Sequence, residues 1–373
     1  MLRRILAVGM VDSIHFAKWA ELASSIADEI LVLPSGPHRR LHPRLLANEK
    51  VQVNRLLAVT SLPVWLFSKV FGFGWLNRVR ALVLLRLVDK HSPEIIHIHE
   101  MQSGGYPLSA ILEKTGLPVA YTPYGSDMSW FAQIPKHREK ILQFLSRVSL
   151  VFPECERDAE MAKSLGFKGV VAPAMPASGY FEHNTRRSNT SVKEGIVLVK
   201  GYGGRWGLAP QFLEAMKGRS RDFANVELIV YSATRDTLRI ARRLEREGFK
   251  ISVNMKFSLS LEELGSLMNR AIVHVGLSRS DGQPASFVEA AIARCIPIQT
   301  DTACVPKLDL LEELNLLASP LRIDAVPDQL LTSLNNAEDL TSRLSDFFVW
   351  GDSLTNKEVA SGKLKEAYLS ILK

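Results

Sequence analysis

Ser278-Arg-Ser-Asp-Gly-Gln-Pro-Ala-Ser-Phe-Val-Glu-Ala-Ala-Ile-Ala-Arg-Cys-Ile-Pro-Ile-Gln-Thr-Asp301 follows an apolar run, Ala271 to Gly276, and changes character twice. A polar loop up to Pro284 gives way to small and apolar residues from Ala285 to Ala293, then to Ile296-Pro-Ile-Gln299. The pattern predicts strand, loop, helix and strand, the repeating unit of a parallel α/β sheet. Open α/β sheets bind ligands outside the carboxyl ends of their strands, where such a loop runs into a helix. The N–H groups of Ala285 and Ser286 stand at the expected helix start, where hydrogen bonds and the helix dipole hold phosphate. Asp281 and Glu289 have seven residues between them, one on the loop and one about a turn into the helix. Both can face one crevice and grip ribose or sugar hydroxyls in bidentate fashion.

Working outward, the same alternation fills the chain. Before this stretch, Gly195 to Val199, Val226 to Tyr231 and Ile251 to Val253 read as strands, with helices at Ala209–Met216, Thr234–Glu247 and Ser260–Asn269. The last of these opens with a Ser-x-x-Glu capping box, Ser260 to Glu263. In the first half, Arg4 to Met10 is a continuous apolar run, as expected of a strand buried on both faces. Asp28 to Leu33, Glu94 to His99, Pro118 to Thr122 and Leu150 to Phe152 are further strands, and Ala17–Ile26 and Pro107–Lys114 are helical. Residues 177–194 are polar and poor in aliphatics, which marks a linker. The expected fold is therefore α/β, with two tandem Rossmann-like doubly wound domains. The expected boundaries are 1–178, a linker at 179–194, 195–350, and a C-terminal segment 351–373 whose amphipathic helix, Lys357 to Leu372, returns to the N-terminal domain.

Composition narrows the class. A chain of 373 residues suits two domains, and 46% hydrophobic with 23% charged residues is ordinary globular usage. Cys155, Cys295 and Cys304 form neither a CxxC site nor a disulfide framework, which fits a reducing, cytoplasmic setting. No uncharged apolar run nears the ~18 residues of a spanning helix; the longest, Leu56 to Ser68, has 13. The net charge of +7 is lopsided: residues 1–180 carry 21 Lys and Arg against 15 Asp and Glu, and residues 181–373 carry 25 against 24. A basic N-terminal half is either solvated surface or a face toward something anionic. No nucleic-acid motif accompanies it. No GxGxxG follows a strand, which disfavours a nicotinamide dehydrogenase.

The quoted stretch resembles the signature of the retaining nucleotide-sugar glycosyltransferases of the GT-B fold, family 4. That signature is two glutamates separated by seven residues, a small-residue helix and a Pro-containing strand. Here Asp281 stands in place of the first glutamate. The resemblance runs over nearly the whole chain. Thr122-Pro-Tyr-Gly-Ser-Asp127 looks like the family's Thr-x-His-Gly-x-Asp segment, with Tyr124 where many members have His. His97-Ile-His-Glu100 looks like the strand end before it, and Val199-Lys-Gly-Tyr-Gly-Gly-Arg205 like the loop that holds the donor diphosphate.

The resemblance implies a glycosyltransferase with the acceptor in the first domain and a nucleotide-sugar in the second. Lys200, Arg205 and Asp281 would be the catalytic residues. Gly201, Gly282, Ala285, Ser286 and Glu289 would bind the donor. Asp12, Ser13, His15, Tyr124, Ser126 and Asp127 would line the acceptor side. No Asp-x-Asp metal site is evident, and the fold commonly needs none, so no metal or cofactor is expected. Two other readings stay open: a non-catalytic nucleotide-sugar-binding member, and a sugar-nucleotide epimerase of similar scaffold.

The histidines and one aromatic segment need separate weighing. His97 and His99, at i and i+2, share a strand face with no third metal ligand evident, so they read as structural, as does His274 within an apolar strand. Residues 61–75 hold five aromatics, Trp65, Phe67, Phe71, Phe73 and Trp75, with Lys69 inside and Arg78 and Arg80 just beyond. Aromatics flanked by cations suit a bilayer interface. The expected setting is the cytoplasmic face of a membrane, in reversible contact with anionic lipid, with a lipid-linked or surface saccharide as acceptor in polysaccharide or lipopolysaccharide assembly.

Overall fold

The computed structural model describes residues 1–36, 38, 40–54, 73–182, 193–304 and 308–372. Most of the aromatic segment, through residue 72, and most of the expected linker lie outside the described residues. The chain forms two compact units, Met1–Phe181 with Asn356–Lys373, and Glu182–Thr355.

The first unit holds a seven-stranded sheet with β1 Leu2–Gly9, β2 Ala27–Pro34, β3 Val51–Val53, β4 Ile95–His99, β5 Val119–Thr122, β6 Leu150–Val151 and β7 Val170–Val171. Their order is β3-β2-β1-β4-β5-β6-β7, and all pair in parallel. The continuous apolar runs explain this arrangement, because successive side chains supply opposite faces. Ile5, Ala7, Ile30 and Val32 pack on one side with the helix Ile14–Ala23. Leu6, Val8, Leu31 and Leu33 pack on the other with Leu84, Leu112 and Phe144.

The second unit repeats the design with β8 Glu194–Lys200, β9 Glu227–Ala233, β10 Lys250–Met255, β11 Ala271–Gly276, β12 Ile296–Thr300 and β13 Leu317–Ala318. Their order is β10-β9-β8-β11-β12-β13, again parallel throughout. The capping box is formed: Ser260 Oγ accepts from Glu263 N at 3.1 Å and Glu263 Oε2 from Ser260 N at 2.7 Å.

The unit boundaries differ from the expected ones by a few residues, for identifiable reasons. Tyr180 is buried in the first unit's core, and its hydroxyl donates to Glu21, so the chain stays with that unit through Phe181. The helix Ser345–Ser353 stays with the second unit. Phe347 packs on Phe287 at 5.0 Å, and Arg294 Nη1 donates to Phe348 O at 2.9 Å and to Asp352 at 3.2 Å.

The C-terminal helix Lys357–Leu369 belongs to the first unit through a polar tie and an apolar one. Lys357 Nζ meets Glu21 Oε1 at 2.7 Å, and Arg44 meets the other oxygen at 3.1 Å. Burial would raise the Glu21 carboxyl, but Lys357, Tyr180 and Arg44 together hold it below the ordinary range. Deeper in, Tyr368 is fully buried, and its hydroxyl hydrogen-bonds His97 Nδ1, while His97 Nε2 pairs with Thr122 Oγ1 at 2.8 Å. Burial lowers His97 to about 3, so the ring is neutral in the fold. His99, stacked on it at 4.4 Å, is lowered for the same reason and by its neighbour.

A histidine depressed in the fold contributes stability that is present above its unfolded value of 6.5 and is lost as pH falls toward 3. Unfolding free energy should therefore drop below pH 6.5, by about 2 kcal/mol at pH ~5 from His97 alone. Tyr368→Phe should cost about 1–3 kcal/mol at neutral pH, because it strands a buried ring nitrogen. Denaturant titrations across that range check both. A flat profile from pH 6.5 to 5 would contradict the burial account.

Candidate functional site

In the second unit the chain runs from β8 outward to β9 and β10, then crosses to β11 on the other side of β8. The loops after β8 and β11 therefore flank a switch point at the carboxyl edge, the usual ligand position in such a sheet. Here they are fastened together. Gly207 and Ser278 form an antiparallel bridge, Arg279 N donates to Trp206 O at 2.8 Å, and Leu208 N donates to Leu277 O at 3.1 Å. Two glycines make this path possible: a Cβ on Gly201 would stand 2.8 Å from Ala233 Cα, and one on Gly207 would stand 2.0 Å from Tyr202 O.

Lys200 ends β8, and the loop that follows carries Arg205. Lys200 Nζ lies 4.9 Å from the centre of the Tyr202 ring, and the Arg205 guanidinium lies 4.8 Å from that of Trp206. Such cation–aromatic contacts hold long side chains in a narrow set of conformations. Arg205 is exposed and Lys200 half-buried. Lys256, following β10, shares the Tyr202 ring at 5.7 Å.

The loop after β11 runs into the helix Ala285–Ile292, whose N-cap is Pro284 with no side-chain cap. Phe287 N and Val288 N both turn to Pro284 O, at 2.9 and 3.3 Å. The amides of Ala285 and Ser286 have no intrahelical acceptor, as for the first residues of any helix. Ser286 is only 4% exposed, and its side chain lies beside the Tyr231 phenol. A helix start without a cap, next to a buried hydroxyl, is suited to an anion.

Behind it, Tyr231 and His274 form a buried pair, phenol oxygen to Nε2 at 2.9 Å. Burial first, and then the charge of Lys200, lower His274 to about 3. Burial first, and then the charge of Glu289, push the Tyr231 phenol up. The charges of Lys200 and Glu289 thus both reach this buried pair. Glu289 is half-buried and lines a mostly apolar groove with Leu261, Leu264, Gly265, Met268 and Ile292. Asp281 is half-buried, and its Oδ1 accepts from Gly282 N at 3.0 Å. The loop is tied further by Thr302 Oγ1, which donates to Ser278 O at 2.7 Å, and by Cys304 N, which donates to Gly282 O at 2.9 Å.

The first unit has the equivalent switch point between β1 and β4. Asp12 is exposed and meets His38 Nδ1 at 2.8 Å. Ser13 is the N-cap of helix Ile14–Ala23 but makes no side-chain cap, and His15 is half-buried on the first turn. The Tyr124 ring meets His99 edge-on at 5.9 Å. Ser126 is half-buried, and its carbonyl accepts from Trp130 N and Phe131 N, both at 3.2 Å.

Asp127 differs from its expected acceptor-facing part. It is 2% exposed, and its Oδ2 accepts from Met101 N at 2.9 Å, Tyr121 Oη at 2.8 Å and Tyr124 N at 3.0 Å. Burial, with Glu100 nearby, raises its carboxyl well above the ordinary range. Asp127 binds the loop after β4 to the loop after β5. Glu100 does similar work: at φ 69° it turns back so that its carboxylate accepts from Ser103 N at 2.9 Å and Gly104 N at 3.3 Å.

The glycosyl transferase 4-like family matches residues 4–152. That match covers part of the first unit, and the fold of the chain as a whole is the GT-B architecture of solved glycosyltransferases. Among solved structures, the chain is similar to Anabaena HepE in complex with UDP, at 12% identity and a TM-score of 0.68 over 98% of this chain and 100% of that one. It is similar to sucrose-phosphate synthase from Thermosynechococcus elongatus, at 13% identity and 0.67 over 99% and 98%. It is also similar to a UDP-forming α,α-trehalose-phosphate synthase from Burkholderia xenovorans, at 13% identity and 0.64 over the whole of both chains. No curated protein matches it by sequence.

Asp127→Ala should lower stability by about 3 kcal/mol or more, since three buried donors lose their acceptor. Asp127→Asn keeps that acceptor, so it should cost much less. Thermal and denaturant unfolding of the two variants decide it, and equal losses would contradict the loop-tying assignment.

Proposed function

We propose that this chain moves a sugar, with retention of configuration, from a nucleoside-diphosphate sugar to a saccharide acceptor. The observation that carries the proposal is the helix start at Ala285 and Ser286, uncapped and joined through paired loops to Lys200 and Arg205. A departing nucleoside diphosphate leaves an oxocarbenium-like sugar behind, and its growing charge must be stabilised. Fixed donors and cations do this without reorganising during the reaction. In this reading the amides of Ala285 and Ser286 hold the diphosphate, and Lys200 and Arg205 neutralise it. Gly201 and Gly282 let the two loops come close to the donor. Glu289 grips the nucleotide ribose, and Asp281 accepts from hydroxyls of the transferred sugar. Donor phosphate serves as base for the attacking hydroxyl, with no side-chain nucleophile and no metal.

The solved relatives support the donor class, since one is held in complex with UDP and another is described as UDP-forming. On the acceptor side the reading assigns Asp12, Ser13, His15, Tyr124 and Ser126 to the saccharide, with Asp127 shaping the loop that presents Tyr124. A lipid-linked or surface saccharide is the proposed acceptor. No helix among the described residues is long and apolar enough to cross a membrane. Contact with anionic lipid at the inner membrane face would then be peripheral and reversible. The basic excess of residues 1–180 supports it, at about 1 kcal/mol per cation near the surface and fading within a Debye length.

Arg205→Ala should reduce turnover about 10²–10³-fold, by analogy with losing one preorganised charge-stabilising donor. EDTA should leave activity intact. A product screen by mass spectrometry, using nucleotide-sugars with a membrane extract, supplies the assay. Unchanged kcat/KM in Arg205→Ala would remove the leaving-group role, and loss of activity in EDTA restored by a divalent ion would remove the metal-free one. Liposome flotation should show salt-sensitive binding to anionic but not neutral vesicles; equal flotation on both would exclude the electrostatic contact.

A further inference from the structure

Arg80, on the helix Phe73–His91, is a buried cation without a bonded counter-ion among the described residues. It is 2% exposed. Its Nε donates to Pro34 O at 3.1 Å and its Nη1 to Ser103 O at 2.9 Å, with Asn77 Oδ1 farther off at 3.4 Å. All three are neutral acceptors. The guanidinium thus bridges the carboxyl ends of β2 and β4, the strands on either side of β1. Its Nη2 is buried and meets no acceptor among the described residues. The carboxylate whose field reaches it is Glu100, and both Glu100 oxygens are taken by the amides of Ser103 and Gly104. Burial pulls the guanidinium down to about 10, with Glu100 opposing. A buried charge held only by dipoles is expensive, and an opposite charge brought to it would offset that cost.

A second orphan stands beside it. Ser35 follows Pro34, whose carbonyl takes Arg80 Nε, and Ser35 is 1% exposed with its Oγ unpartnered among the described residues. Its own N–H is used, donating to Gly9 O at the end of β1 at 2.8 Å. Next in the chain, Gly36 opens outward, and a Cβ there would meet nothing within 4 Å. A guanidinium nitrogen and a hydroxyl, both buried and without a hydrogen-bond partner among the described residues, therefore lie at the carboxyl edge of the N-terminal sheet, on either side of the Pro34 carbonyl that Arg80 holds.

We infer that Arg80 and Ser35 form an oxyanion subsite of the acceptor, so that the sugar acceptor carries a phosphate group. The inference rests on the glycosyltransferase reading and adds the chemical class of the acceptor. Arginine suits the task because its fork meets phosphate oxygens with directed N–H bonds. The phosphate could belong to a soluble sugar phosphate or to a lipid-linked carrier; the chemistry recognised is the same.

The test is calorimetric titration with inorganic phosphate while saturating UDP fills the donor site. Wild-type protein should bind phosphate saturably in the presence of UDP. Ser35→Ala, which leaves the Arg80 ties to the backbone in place, should weaken that binding tenfold or more, and Arg80→Gln should do the same. Both should keep wild-type affinity for UDP. A hexose 6-phosphate that binds more tightly than inorganic phosphate identifies a soluble acceptor. Capture by vesicles carrying a polyprenyl phosphate, but not by phosphatidylcholine vesicles, identifies a lipid-linked one. Absence of phosphate binding with UDP bound, or unchanged binding in Ser35→Ala, overturns the subsite and leaves the donor reading standing. Failure of wild-type protein to bind any nucleoside diphosphate would count against the donor reading instead.

Discussion

Parallel pairing of every strand in both sheets is the constraint from which the rest follows. A parallel sheet needs a crossover between neighbours, and in each unit the chain first winds away from its central strand and then returns past it. The loops leaving the two central strands diverge, and a gap opens between them at the carboxyl edge. In the second unit that gap is bounded by the loops after β8 and β11. The Gly207–Ser278 bridge holds the cation-bearing loop against the loop that leads into the uncapped helix. Without that bridge, Arg205 would sit on an independent surface loop, detached from Lys200 at the end of β8.

Buried polar groups do comparable work in the first unit. Asp127 and Glu100 spend their oxygens on backbone amides, and Arg80 spends two of its nitrogens on backbone carbonyls. The Asp127 and Arg80 ties cross from the end of one strand to the end of another, and the Glu100 ties fold the loop after β4 back on itself. Loops at a carboxyl edge have little apolar surface to bury, so directed hydrogen bonds in a low dielectric keep their shape. The His97–Tyr368 pair extends the same principle to the C-terminal helix, whose apolar face alone would leave its register on the sheet loosely specified.

The elements legible in the sequence are those with a continuous physical signal. Strands buried on both faces read as apolar runs, and Ala271–Gly276 has the bounds its composition suggests. The Ser260 capping box is likewise a local pattern with a local result. The edge strands Val51–Val53, Val170–Val171 and Leu317–Ala318 escape such reading because two or three residues carry no period. In the site, the small-residue helix start and its glycine-bearing partner loop were legible because backbone geometry limits which residues fit there. The work of Asp127 was not, since a loop carboxylate has the same appearance in sequence whether it faces a ligand or three buried donors. Arg80 stood among nearby cations, and only the packing distinguishes it as buried.

Hydrogen exchange at single-amide resolution tests the central claim most directly, because the claim concerns particular N–H groups. Adding a nucleoside diphosphate should slow exchange at Ala285 and Ser286 and in the loop from Gly201 to Gly207, with smaller changes elsewhere in the second unit. Protection confined to other loops, or saturable binding with no change at Ala285 and Ser286, would contradict the account.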